Sequence, residues 1–276
     1  MVERNSPRGA EPKVNSTQSG LKSASRLLLG YLGGGQPSVA IVLGSGLDVQ
    51  LDNNYWEMPA SEIPGFVLPT VDGHTGRVTA GTLGQRDVLL IQGRLHCYEG
   101  IPEENVAFQV HLVRELGISN IVLVSAAGGI RDDLDPGSMM LVEDHLCAQP
   151  LQANSERGAV YDAGWRRRVI AASDGLRVAC GVFVWTIGPS YETPAEIVAF
   201  ERRGGNAVGM SLVPEALWAS ALGMRVFAAA IITNRASGLS KGRLGHAEVL
   251  RAALDAQANV TKLLVHAVAQ SPKLHV

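Results

Sequence analysis

Short apolar, β-branched runs that empty into glycine and a polar group recur along this chain, and that recurrence limits its fold more than anything else. Val39-Ala40-Ile41-Val42-Leu43 runs into Gly44-Ser45-Gly46. The run 88–91 passes into Gly93, with Arg94, His96, Tyr98 and Glu99 close behind. Ile121-Val122-Leu123-Val124 leads to Ser125-Ala126-Ala127-Gly128-Gly129, and the run 226–232 ends at Thr233-Asn234. Gly73-His74-Thr75-Gly76 precedes a further strand-like run at 77–83. Helical spacing fills the intervals; Val249, Leu250, Ala253, Leu254, Val260, Leu263 and Leu264 keep one apolar stripe. Strands alternating with helices predict an α/β domain around a central parallel or mixed sheet. Strand ends in such folds open onto ligand crevices, so five exits of this kind predict one composite site.

The pattern places strands at 38–43, 77–83, 86–91, 119–125, 138–147, 178–186 and 224–232, and helices at 19–32, 103–116, 164–174, 194–203, 213–222 and 246–268. Thr193-Pro194-Ala195-Glu196 reads as a helix start, with Thr as N-cap and Pro at the first position. With 46% apolar and 18% charged residues, 276 residues can bury a substantial core. Residues 1–20 are polar and lack the apolar region of a signal peptide, so they read as a disordered tail before one domain over 21–276. No apolar run is long enough to span a bilayer, so no membrane partner is expected. The net charge is −2 and Arg166-Arg167-Arg168 reads as a solvated helix face, so no nucleic-acid partner is expected either. Three scattered cysteines, Cys97, Cys147 and Cys180, match neither a disulfide framework nor a zinc pattern and point to a reducing cytoplasm.

Arg94 and His96 are what an oxyanion such as phosphate needs, a permanently charged fork and a second donor. Gly44-Ser45-Gly46 lacks the third glycine of a dinucleotide loop, Val49 standing there, and no P-loop run occurs. A tight turn with one hydroxyl can still cradle an anion through backbone N–H groups. His74 lies in a long Gly- and Pro-rich stretch of the kind that forms binding loops. The small residues of 125–129 let a ligand approach the backbone closely. Tyr191 can pack on a flat ring, Glu192 can accept two hydrogen bonds, and Met210 stands beside the Ser211 hydroxyl. For each there is a plainer reading: Glu192 as a helix-entry carboxylate, Met210 as core, the histidines as exposed. No metal-ligand spacing, no Ser-His-Asp or Cys-His pair and no paired carboxylates stand out, which suggests that an external anion is the nucleophile.

Eight blocks carry a resemblance over about 39–265: Gly44-Ser45-Gly46, Gly73-His74-Thr75-Gly76, Gly93-Arg94-Leu95-His96-Cys97-Tyr98-Glu99-Gly100, Ala126-Ala127-Gly128-Gly129, Gly188-Pro189-Ser190-Tyr191-Glu192-Thr193, Val208-Gly209-Met210-Ser211, Thr233-Asn234 and His246-Ala247-Glu248-Val249-Leu250. In these the chain resembles the trimeric type of purine nucleoside phosphorylase and its sister family, the methylthioadenosine phosphorylases. The resemblance implies a twisted, partly barrel-like mixed sheet flanked by helices. It implies phosphate-dependent, reversible cleavage of the N-glycosidic bond of 6-oxopurine nucleosides with inversion, in a homotrimer, with phosphate as co-substrate and no cofactor. By resemblance Ser45, Arg94, His96, Ser211 and the Ala126 N–H hold phosphate, and His74 closes over it. Tyr98, Met210 and His246 face the ribose, His246 near the 5′-hydroxyl. Tyr191, Ala127 and Gly128 line the nucleoside pocket, and Glu192 and Asn234 read the purine; Asn234, Glu192 and His96 are the expected catalytic residues.

Asn234 and His246 point away from the methylthioadenosine branch, which has Asp at the first position and lacks the second. The chain departs from the family at Ser125, usually Asn, and Leu212, usually Thr. It is also shorter over 150–165, where relatives lend an aromatic across the trimer; Tyr161 is a candidate for that part. The alternatives are a phosphorylase of 5′-modified purine nucleosides, such as methylthioadenosine or methylthioinosine, and a non-catalytic nucleoside-binding protein.

Overall fold

The structure, a computed structural model, describes residues 14–32, 36–44, 46–68, 76–151, 158–239 and 246–273. Its elements run α1 (Val14–Leu32), β1 (Val39–Leu43), β2 (Asn53–Pro59), β3 (Arg77–Leu83), β4 (Arg86–Gln92), α2 (Glu103–Val106), α3 (Phe108–Glu115), β5 (Asn120–Gly129), β6 (Met139–Cys147), α4 (Ala163–Ala172), β7 (Val178–Trp185), α5 (Pro194–Arg202), β8 (Ala207–Gly209), α6 (Val213–Ala221), β9 (Arg225–Arg235) and α7 (His246–Ala269). The nine strands form one sheet in the order β2-β3-β4-β1-β5-β8-β7-β6-β9. β9 also pairs with β5, so β5, β8, β7, β6 and β9 close into a ring and the rest extend from it. The sheet is mixed: β1 is parallel to β4 and β5, and β9 to β5. β8 runs antiparallel to β5, and β6 antiparallel to β9.

β1 is buried along its whole length because helices cover both faces of the sheet. Ala40 and Val42, with Leu89, Ile91, Ile121 and Leu123, pack toward Leu28 of α1, Phe108 and Leu112 of α3, and Val213 and Ala216 of α6. The alternate residues Val39, Ile41 and Leu43, with Leu90, Val122 and Val124, pack toward Trp165 of α4 and Val260, Leu263 and Leu264 of α7. That period-2 division is what a two-sided strand dictates.

Several elements differ from the sequence expectation. α1 begins at Val14, inside the segment read as a tail; residues 1–13 lie outside the described residues. The helix expected over 103–116 is two, meeting at Ala107, whose φ of −86° and ψ of 3° leave the α region. β2 and the three-residue β8 are additional to the expected strands. β5 and β9 run on to Gly129 and Arg235, past the ends expected at 125 and 232. The glycines explain the overrun: a Cβ on Gly129 would overlap the Leu134 carbonyl, and one on Gly128 would lie 3.2 Å from Asn234 Nδ2. The small residues of this segment are a strand tightly packed between neighbours; opposite the Ala127–Gly128 step β9 carries one extra residue, Thr233, a bulge that re-aims Asn234 and Arg235.

Candidate active site

The cleft forms where short β8 meets the C-terminal part of β5. It encloses about 710 Å³, counting space open to solvent. Of the residues singled out in the sequence, it gathers His96, Tyr98, Ala126, Ala127, Gly128, Tyr191, Glu192, Met210, Ser211 and Asn234 along its wall. Met210 and Glu192 therefore face the cleft; the plainer readings of a core thioether and a helix-entry carboxylate do not describe them.

Arg94 is placed behind this wall rather than on it. Its side chain is fully buried, with Nε 3.2 Å from Glu215 Oε2. Nη1 donates to the Val124 carbonyl at 2.8 Å and to Ser211 Oγ at 3.4 Å. Burial pulls the guanidinium pKa down from its usual value, and the Glu215 carboxylate pulls it back up. Ser211 Oγ in turn lies 2.6 Å from Ser125 Oγ. Two hydroxyls thus sit at the cleft surface with a buried cation behind one of them. A Cβ on Gly44 would stand 3.3 Å from Arg94 Nη1, so the turn after β1 is glycine where the guanidinium passes.

Glu215 is a site residue that sequence reasoning misses. It is buried at the start of α6 and also accepts from the Leu212 N–H at 3.2 Å and from the Gln109 side-chain amide. In the sequence it reads as an ordinary first-turn acid. The one sign of more is Leu212, whose φ of +74° is uncommon for a residue with a side chain. Strain of that kind gathers at functional sites and persists only where the surroundings over-determine it. Here the Glu215 carboxylate holds the Leu212 N–H, which fixes the turn that presents Ser211.

His96 packs face to face on Tyr98, with ring centroids 4.8 Å apart at 14°. Its Nδ1 lies 3.3 Å from Glu99 Oε1, which also accepts the His96 backbone N–H at 2.8 Å. The carboxylate thereby orients the ring and favours a proton on Nδ1. Burial pushes the Tyr98 phenol up to about 12, with the nearby Glu99 and Tyr191 adding to it, so it stays protonated at neutral pH. Tyr98 and Met210 both close on Gly188, where φ is +76° and a Cβ would overlap Met210 Sδ.

The second polar group lies farther along β5. Glu192 accepts from Thr186 Oγ1 at 2.7 Å, just ahead of the capping box that Thr193 and Glu196 make at the start of α5. Asn234 accepts from Thr233 Oγ1 at 2.9 Å and donates through Nδ2 to the Arg235 carbonyl at 2.9 Å. One Nδ2 hydrogen is left over. Thr186 and Thr233, like Glu215, are helpers that give no periodic signal in the sequence.

Ser45 and His74 lie outside the described residues. So does the His246 side chain; its backbone opens α7 one turn before Val249, which lines the cleft. Tyr161, considered for the aromatic lent across a trimer, does not fit that part. It is buried, its hydroxyl 3.1 Å from His145 Nδ1, and its backbone bridges to Val226. Cys97, Cys147 and Cys180 form no disulfide among the described residues. Among the described residues no three His, Cys, Asp or Glu side chains gather where they could hold a metal, and no helix is long and apolar enough to cross a membrane.

Comparison with known proteins agrees with this geometry. The family model described as the phosphorylase superfamily matches residues 38–269. Purine nucleoside phosphorylase 1 of Geobacillus stearothermophilus is 37% identical over 230 residues, 78% of this chain and 84% of its own. Purine nucleoside phosphorylase of Mycobacterium tuberculosis is 36% identical over 267 residues, 95% of this chain and 99% of its own. The solved structure of Schistosoma mansoni purine nucleoside phosphorylase with inosine superposes at a TM-score of 0.81, with 28% identity, over 92% of this chain and 97% of that one. The same enzyme has been solved with adenosine, again at a TM-score of 0.81 and 29% identity, over 93% and 98%. A family match spanning nearly all the described sheet, together with these identities over most of each chain, establishes that this chain belongs to the phosphorylase superfamily, within its purine nucleoside phosphorylases.

Proposed function

We propose that the chain is a purine nucleoside phosphorylase that cleaves 6-oxopurine nucleosides, inosine and guanosine, with inorganic phosphate. The observation that carries this is the spacing of two polar groups along β5. Ser125 and Ser211, with Arg94 behind them, lie beside one part of the strand; Gly128 lies against Asn234. Three residues of strand separate the two groups by about 10 Å. That leaves room for a ribose between a phosphate and a base.

Phosphate is assigned to the Ser125–Ser211 group, with His96, the Ala126 N–H and the turn at Ser45 around it and His74 closing over it. Tyr98 and Met210 flank the sugar, and residue 246 opens the helix nearest its 5′ end. Glu192 accepts from N1–H of hypoxanthine or guanine, and the spare Asn234 hydrogen meets N7. As the C1′–N9 bond breaks, its electron pair passes to the purine and positive charge grows on the ribose. A phosphate oxygen then bonds to C1′ from the opposite face, giving ribose 1-phosphate with inversion, and the departing purine anion takes a proton from water to become the free base. Asn234 donates where negative charge arrives, and donors of that kind in a dry site are commonly worth about 3–4 kcal/mol. Phosphate is both nucleophile and counter-charge, so no metal or cofactor enters the proposal. The assembly we propose is a homotrimer working in purine salvage in the cytoplasm; cysteines that form no disulfide among the described residues suit a reducing compartment.

The test is product formation from inosine, guanosine, adenosine and methylthioadenosine, each with and without phosphate. Phosphate-dependent release of hypoxanthine and ribose 1-phosphate from inosine is expected. Free ribose as product, or turnover that ignores phosphate, would overturn the reaction. Methylthioadenosine as much the best substrate would instead favour a 5′-modified nucleoside, and binding without any turnover a non-catalytic protein.

A further inference from the structure

A second cleft lies at the other end of the sheet, and its lining is basic. Arg86 enters it from the start of β4, Arg225 from the start of β9, Arg168 from α4 and Lys273 from the segment after α7. Asp162 is the acid among the described lining residues, which set four cations against one carboxylate in a chain whose net charge is −2. The cleft encloses about 960 Å³ on the same measure that gives 710 Å³ for the candidate active site.

The two clefts are separate. Asn234 lies nine residues beyond Arg225 on β9, about 30 Å of extended strand. α7 runs between them, with Val249 on the wall of the first and Ala269 on the wall of the second. The proposed reaction draws on nothing in the second cleft.

Two of the cations are held in place by the fold. Arg225 Nη1 pairs with Asp162 Oδ2 at 2.9 Å, and Arg168 Nε donates to the Gln270 carbonyl at 3.1 Å. Both guanidinium groups keep further N–H donors beyond those bonds. Arg86 and Lys273 make no side-chain ion pair or hydrogen bond among the described residues. Asp162 is already committed, as N-cap of α4 through the Trp165 N–H at 2.7 Å and as partner of Arg225. Its charge reaches Arg168 as well, so its compensation falls on Arg225 and Arg168, and Arg86 and Lys273 have no carboxylate partner among the described residues. The Ser271 hydroxyl, at the same wall, is buried with no partner among the described residues, and such groups call for an explanation. The arrangement brings cations from four separate segments to one concavity. It offers charge to several oxygens at once, where a single carboxylate would meet only part of it.

We infer that this cleft binds a small polyanion carrying two or more linked phosphate groups. The extended basic surface that a nucleic acid would track along is not what the cleft offers; its cations converge on one hollow. Two sources share this chemistry, a nucleoside triphosphate and inorganic polyphosphate.

The experiment is titration calorimetry on the full-length protein with inorganic tripolyphosphate and, separately, ATP, repeated for the double variant Arg86→Glu, Lys273→Glu. Neither residue belongs to the proposed catalytic machinery, so phosphorolysis of inosine by the variant should match the parent. Expected is saturable tripolyphosphate binding that weakens at least about tenfold in the variant and falls with added salt. Equal affinity for ATP and tripolyphosphate would show that only the phosphates are read, whereas tighter ATP binding would identify the nucleotide as the source. Absence of tripolyphosphate binding, or binding that the double variant leaves unchanged, would overturn the proposal. A failed phosphorolysis assay with intact tripolyphosphate binding would count against the proposed reaction and not against this cleft.

Discussion

Asn234 is held by two neighbours that do not treat Asn and Asp alike. Thr233 Oγ1 can donate to either, but the Arg235 carbonyl, 2.9 Å from Nδ2, needs a donor. An ionised Asp would set two acceptors against each other there, so Asn234→Asp should take up a proton at that oxygen. The variant could then donate to N7 and accept from an exocyclic amine, while an ionised fraction would repel O6. The ratio of kcat/KM for inosine to that for adenosine should fall by on the order of tenfold, about 1.4 kcal/mol. An unchanged ratio would put base choice elsewhere, with Glu192 the next residue to test.

Arg94 and Glu215 raise a different question at the same scale, because the pair is structural and functional together. Removing one partner leaves a buried charge uncompensated, typically a loss of about 3–5 kcal/mol. Arg94→Ala should therefore lower the melting temperature as well as phosphate use, and its kinetics alone would be ambiguous. Replacing both partners with apolar residues of similar size is often near neutral for stability. Arg94→Met with Glu215→Gln removes both charges yet keeps an oxygen that can accept the Leu212 N–H, and it should regain part of the lost melting temperature while the KM for phosphate stays high and nucleoside binding changes little. If the double variant recovered phosphate use along with stability, the guanidinium would have no part in holding phosphate. The sequence shows Arg94 through its place at a strand exit. Glu215 is hidden because its partner lies 121 positions earlier and only the closed sheet joins them.

At the scale of elements, α5 shows how a local signal can place a functional group. Thr193 caps the helix, accepting from the Glu196 N–H, and the Glu196 carboxylate accepts the Thr193 N–H at 2.7 Å. Glu192 stands immediately before this box. The Thr193 backbone and hydroxyl groups hold the Glu196 carboxyl below its usual pKa. A depressed folded-state pKa gives stability that is present above the unfolded value and is lost as pH falls through the folded one. Thr193→Ala should cost about 1 kcal/mol in thermal unfolding near neutral pH, as lost N-caps do. The gap from the parent should narrow as the pH drops below the ordinary carboxylate range, and the KM for inosine should rise as the first turn loosens around Glu192. A gap that stayed constant down to low pH would separate the box from Glu196 ionisation.

This capping box is legible in the sequence because all its parts lie within four residues. So are β1, β3, β4 and α7, whose apolar periods are set by burial on a whole face. β2 is not: its seven residues include Asn53, Asn54 and Pro59, most of them are exposed, and among the described residues β3 alone pairs with it. β8 has three residues and depends on β5 and β7 for its definition. The small residues of 126–129 are legible as a place of close approach. They are not legible as strand, because what approaches them is β9 and the Leu134 backbone.

At the scale of the molecule, Tyr191 on the cleft wall is one of several large apolar side chains around α5 that a single chain leaves open. Ile187 and Tyr191, between β7 and α5, are 40% and 41% exposed; Val198 on α5 and Leu239 after β9 are 40% and 38% exposed. A Cβ on Gly238 would overlap Pro194, so the segment after β9 packs on the start of α5. Lone chains seldom leave large apolar patches exposed, and these commonly mark an interface. In the proposed trimer a neighbouring subunit covers these side chains. Tyr161 is buried in its own chain, so any aromatic reaching across must come from another position. Light scattering should give three times the 29.2 kDa of one chain. Val198→Glu sets a charge on α5 without touching the cleft, and it should shift the mass toward monomer in a concentration-dependent way. The KM for inosine should rise as the mass falls, since the nucleoside loses its outer wall. The KM for phosphate should change less, because Ser125, Ser211 and Arg94 lie in the interior of one chain. A monomer with undiminished kcat/KM for inosine would show that each chain completes its own site.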